Sequence, residues 1–297
     1  AMIMLIPLSK TLLTFGVFKS LVKEIPKALP SQNKNSKTIF WIIFFLGALI
    51  ACFSYIPMVD AAKYIFEDAT NRRMTWFYPQ RMNNSVMLWA AFNGIIGIIL
   101  FTLSFQLFGK KHGVQSSSWG LKADSKYILK TIILSLLVFT LYYLFLFLIY
   151  YIFHVDYRFW FIGVRVFQPE MLLVLAMYAP LFFIFFFSNS LRVNGAMRIE
   201  GQPEWKSMMI AGIANSLGLF FIILIQYITF AKTGTVFWTT NWLSVNLLFA
   251  IVPMMFVLPY FNRYFFYMTG RVYLGPMVTT LVFIMILSTN TVVYLPI

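Results

Sequence analysis

This chain has 297 residues, of which 61% are hydrophobic and only 11% charged, and it carries a net charge of +14. Soluble domains run about 45–50% apolar and about 25% charged, so this composition excludes a water-soluble globule and points to lipid as the solvent. The basic residues lie in short loops between apolar runs rather than on a water-exposed module, which sets nucleic-acid binding aside.

A helix that crosses a bilayer needs about 20 mostly apolar residues. Eight runs approach or meet that length: about 2–18, 38–59, 86–108, 127–153, 171–191, 208–231, 242–261 and 273–294. They are too long and too continuous for the alternation of barrel strands. Lipid leaves a spanning backbone no partners outside helix or closed barrel. The expected fold is therefore all-α: one polytopic transmembrane bundle over 1–297, with about eight helices, seated in the plasma membrane.

The first run opens the sequence AMIMLIPLSK and places Lys10 near its middle. It lacks the basic leader and cleavage site of a signal peptide. More apolar residues upstream would bring Lys10 to the boundary, where its ammonium could snorkel to water. The expectation is a longer protein whose N-terminal extracytoplasmic domain is missing from this sequence.

The second run holds the lone cysteine, Cys52, which cannot form an internal disulfide and reads as a small hydrophobe. The third carries Asn93 beside Gly94 and Gly97, and the loop after it carries His112. His154 and Asp156 close the fourth run. A metal site needs three or four ligands and a triad needs a positioned nucleophile, so this pair reads as interfacial polar residues.

Pro180 and Asn189 belong to the fifth run. The sixth holds Asn215 and Gln226, eleven apart and so on one helix face, among the small residues Ala211, Gly212, Ala214 and Gly218. Pro253 and Pro259 interrupt the seventh, where proline removes a backbone donor and kinks a helix. Small residues let helices approach, and amides then bond across them. Helix packing is the first expectation for these amides. Asn93, Asn189, Asn215 and Gln226 are the candidates for lining a polar pocket, if one exists. All nine carboxylates lie in loops or at run ends, which weighs against a proton-coupled carrier. Clusters such as RFWF (158–161) and FWTTNW (237–242) fit an interfacial aromatic belt. No residue is assigned as catalytic, cofactor-binding or metal-binding.

Lys and Arg divide unequally between the two sides of such a bundle. One side gathers Lys19, Lys23, Lys27, Lys34, Lys37, Lys110, Lys111, Lys122, Lys126, Lys130, Arg192, Arg198, Lys206, Arg263 and Arg271. The other has Lys63, Arg72, Arg73, Arg81, Arg158, Arg165 and Lys232. The richer side is expected to be cytoplasmic, which leaves both chain ends extracytoplasmic.

Four stretches, PLSKTLLTFGVFKSLVKEIP (7–26), HVDYRFWFIGVRVFQPE (154–170), NSLRVNGAMRIEG (189–201) and TGRVYLGPMVTTLV (269–282), carry a resemblance. In order and placement the chain resembles the C-terminal polytopic membrane domain of Gram-positive bacterial α/β-hydrolase-fused membrane proteins. The resemblance implies a serine hydrolase in the parent protein, with its nucleophile on a G-x-S-x-G elbow. No such elbow occurs here, so no catalytic residue carries over. The expected function is the membrane domain of an exported, membrane-tethered esterase-type hydrolase, anchoring it and presenting an apolar substrate. The alternatives are a transporter or lipid-handling subunit, or a scaffold docking another membrane protein. The expected partners are the lipid bilayer, an apolar or amphipathic ligand, and a second membrane protein.

Overall fold

A computed structural model describes residues 4–29, 119–153, 186–216 and 252–288, with isolated helical positions at 38, 41, 42, 45, 95, 99, 179, 180, 183 and 184. These residues are helical, and no β-strand occurs among them beyond one isolated parallel bridge between Leu29 and Ile199. Most of the runs at 38–59, 86–108, 171–191 and 208–231 lie outside the described residues, as do Asn93, His112, His154, Asp156 and Gln226.

The first run is a broken helix rather than a continuous one. α1 spans Leu5–Thr14, Phe15 is extended (ψ 138°), and α2 spans only Gly16–Lys19. Three hydroxyls bond back within this segment. Ser9, Thr11 and Thr14 turn back to donate to the carbonyls of Leu5, Pro7 and Thr11, the habit by which such residues bend helices. Ten residues rise about 15 Å, half a hydrocarbon core, so α1 alone does not span one. Lys10 is exposed on it.

α3, Ser125–Phe153, matches the fourth run closely. Asp124 caps it, its Oδ1 accepting from the Tyr127 amide at 2.9 Å. One face buries Tyr127, Thr131, Leu134, Ser135, Val138 and Tyr142 at helical spacing. The opposite face exposes Leu129 (58%), Ile132, Ile133, Leu136, Leu144 and Leu148. A helix apolar on every face is a core helix or a membrane span. Within α3, Ser125–Phe145 is long and apolar enough to cross a bilayer, and it is the one such helix among the described residues.

The described end of the fifth run is helix α4, 186–191, which widens into a π turn at Arg192–Ala196. α5 covers 204–216. α6 runs Val252–Thr269, with Pro259 inside it, and α7 runs Leu274–Ser288. The seventh run thus does not end at 261. Asn262 and Arg263 continue the helix because apolar Phe261, Phe265 and Phe266 keep its buried face going for two more turns. It stops at Gly270, whose φ of +63° places it in the left-handed conformation of a helix C-cap.

α1, α3, α6 and α7 share one core, built around Leu5, Leu12, Leu134, Val138, Tyr142, Phe261, Phe265, Leu274 and Val278. A second core sits at one end, where Trp119, Leu191, Val193, Met197, Met208, Phe266 and Val272 meet. The loops after the first, third, fifth and seventh runs all converge there. Lys23 N donates to Thr269 O, Leu29 N to Arg198 O, Arg271 Nε to Lys122 O, and Tyr273 OH to Leu121 O.

Candidate functional site

At that end three helices are tied by a chain of amides. Asn262 Nδ2 donates to Asn189 Oδ1 at 3.0 Å, and Asn189 Nδ2 donates to Asn215 Oδ1 at 3.0 Å. Arg192 Nη2 reaches the same Asn215 oxygen at 3.0 Å. The chain therefore runs from α6 through α4 to α5. Asn189 and Asn262 are buried, and Asn215 is half-buried at the rim. The close approach needed here comes from small residues. A side chain on Gly275 of α7 would meet Asn262 Oδ1 at 2.7 Å.

A second strand of the network lies beside the first. Asn194 Nδ2 donates to Ser190 Oγ at 3.1 Å and to Asn262 O at 3.4 Å. Ser190 Oγ in turn donates to Val272 O at 3.1 Å. The π turn frees a carbonyl, and a buried arginine takes it: Arg263 Nη2 donates to Val193 O at 2.7 Å. Arg263 also pairs with Glu204 at 3.5 Å, and the Tyr267 hydroxyl donates to that same carboxylate.

Arg198 braces the outer layer. Its Nη2 donates to the carbonyls of Pro26 and of Lys27, the latter at 2.7 Å, and its guanidinium lies 4.8 Å from the Phe266 ring centroid, within cation–π range. Burial pushes this guanidinium down to about 10, with Glu204 pulling the other way, so it stays charged at neutral pH.

Donors exceed acceptors in this knot. Arg192 Nε, Arg198 Nε and Nη1, Arg263 Nε and Asn215 Nδ2 are buried without a hydrogen-bond partner, as are the acceptors Asn194 Oδ1 and Asn262 Oδ1. Guanidinium and amide groups bind and brace; they offer neither nucleophile nor general base at neutral pH. Among the described residues no three of His, Cys, Asp and Glu gather as metal ligands.

Of the four amides read from sequence as candidate lining, the structure brings Asn189 and Asn215 into direct contact, while Asn93 and Gln226 lie outside the described residues. Asn194, Asn262 and Arg263 complete the knot and were missing from that set. The sequence signal for Asn262 and Arg263 is Thr269-Gly270, a helix stop that moves the end of the seventh helix past Asn262.

No protein-family model, no curated protein and no solved structure matches this chain.

Proposed function

We propose that this chain is a multi-pass membrane domain of about eight helices, with its polar knot at the cytoplasmic boundary, and that it serves as the platform of an extracytoplasmic α/β hydrolase. The observation that carries the membrane reading is the outer face of α3, where Leu129, Ile132, Ile133, Leu136, Leu144 and Leu148 are exposed over a length that crosses a bilayer. An exposed apolar patch of that extent marks a surface that meets a membrane or another protein. The boundary location of the knot is supported by the meeting of the four basic loops at one end. The hydrolase link is supported by the four sequence stretches that resemble such membrane domains.

Two measurements test this reading. The chain expressed alone is expected to stay in the membrane pellet through an alkaline carbonate wash and to leave it only with detergent. Recovery in the wash would refute a spanning role. The purified chain is also expected to show no turnover of short- or long-chain esters, because it has no nucleophile elbow. Turnover abolished by His154→Ala would relocate the chemistry into this domain.

A further inference from the structure

Six cations surround the corner between α6 and α7, and none of them belongs to the polar knot. The backbone fixes the arrangement. Lys23 N donates to Thr269 O, and Arg271 Nε donates to Lys122 O at 2.6 Å, so the Thr269–Arg271 corner touches both loops at once. Lys126 and Lys130 follow Lys122 at successive four-residue steps on the start of α3, and Lys130 Nζ donates to Ser20 Oγ at 2.8 Å, next to Lys19. Lys19, Lys23, Lys122 and Lys126 are exposed.

Two carboxylates stand nearby, Glu24 and Asp124, and the second is occupied capping α3. Among the described residues none of these six cations forms an ion pair; the salt bridge there joins Arg263 to Glu204. Like charges at four-residue spacing repel. A cluster this basic suits an anionic partner.

The flanks indicate which anion. Phe15 (56% exposed), Val17 (67%) and Val22 (51%) interleave with Lys19 and Lys23, and Leu129 and Ile133 interleave with Lys126 and Lys130. Apolar side chains beside ammonium groups are the signature of a headgroup boundary, where chains enter hydrocarbon and charges meet phosphate. A free anion in water would gain nothing from exposed Phe15 or Leu129. We infer that Lys19, Lys23, Lys122, Lys126, Lys130 and Arg271 form a binding site for an anionic phospholipid headgroup, with the acyl chains lying along Leu129 and Ile133 of α3. This rests on the membrane reading above.

The test uses the full chain in detergent, titrated with short-chain phosphatidylglycerol, with phosphatidylcholine of the same chain length, and with inorganic phosphate. Phosphatidylglycerol is expected to bind, and Lys23→Gln with Lys126→Gln to weaken it roughly tenfold without lowering the melting temperature. Lys206→Gln, at the same end but outside the cluster, should leave binding unchanged. Equal binding of both lipids would reduce the site to an apolar track and overturn the proposal. Phosphate binding as tight as phosphatidylglycerol would make it a soluble-anion site and overturn it equally. If the double variant fails to fold, the native chain decides. Its phosphatidylglycerol binding should fall as ionic strength rises from about 0.05 to about 0.5 M, and salt-independent binding overturns the inference. A chain retained in membranes but indifferent to lipid charge sinks this inference alone, whereas release by carbonate sinks the membrane reading itself.

Discussion

Gly270→Ala is expected to destabilise the protein by about 3 kcal/mol. Gly270 has φ +63°, a region that costs a side-chain-bearing residue about 1–2 kcal/mol. A Cβ there would also lie 2.5 Å from Glu24 O and 2.7 Å from Lys23 O. Both are backbone atoms, so no rotamer change relieves the contact. The loop after α2 has to move off the α6–α7 corner. Two other glycines separate the causes. Gly201 shares the left-handed conformation (φ +73°) but has nothing within 4 Å, so Gly201→Ala should cost only about 1 kcal/mol. Gly16 has neither the conformation nor a neighbour, and Gly16→Ala in the short helix α2 should be neutral or stabilising by up to about 1 kcal/mol. Melting of the three variants in one detergent checks the order. Equal shifts for Gly201→Ala and Gly270→Ala would mean that the loop does not press on the corner.

Asn189→Leu is the second large effect. Asn189 is the middle link, accepting from Asn262 and donating to Asn215. Leucine fills the volume and removes both bonds. Interhelical bonds in membrane proteins average about 0.6 kcal/mol, and a buried amide left without its partner costs more, so the expected loss is about 2 kcal/mol. Asn215→Leu should cost about half as much, since Asn215 is only half-buried. The measurement is again melting in detergent, read alongside binding of short-chain lipid. A large drop for Asn215→Leu with none for Asn189→Leu would place the weight of the knot at its rim.

The long α3 was legible because its apolar run is long and nearly uninterrupted. Its apolar run from 127 to 153 carries one charge, Lys130 in its first turn, and otherwise no polar interruption stronger than Thr or Ser, and the helix follows it to within two residues at its start. The break at Phe15 was not legible. Pro7, Lys10 and Gly16 gave no firm stop, and an extended Phe15 between two helical pieces is nothing a hydropathy pattern registers. The same blindness hid half of the knot. Asn189 and Asn215 stood out as amides inside apolar runs, whereas Asn262 and Arg263 resembled the start of a loop. Buried Phe265 and Phe266 continue the packed face of the helix past them. Sequence also paired Asn215 with Gln226 along one helix face, while the partner in the structure is Asn189, twenty-six residues back on a different helix.

The four loops meeting at the polar knot are proposed to lie together at the cytoplasmic face of a membrane domain. Single cysteines on a Cys52→Ser background test it directly, using a membrane-impermeant thiol reagent on intact cells. Positions in 60–85 and 154–170 are expected to label from outside, and positions in 19–37 and 109–126 only after the cells are opened. Labelling of 19–37 from outside while 60–85 stays protected would invert the protein in the membrane and contradict this account.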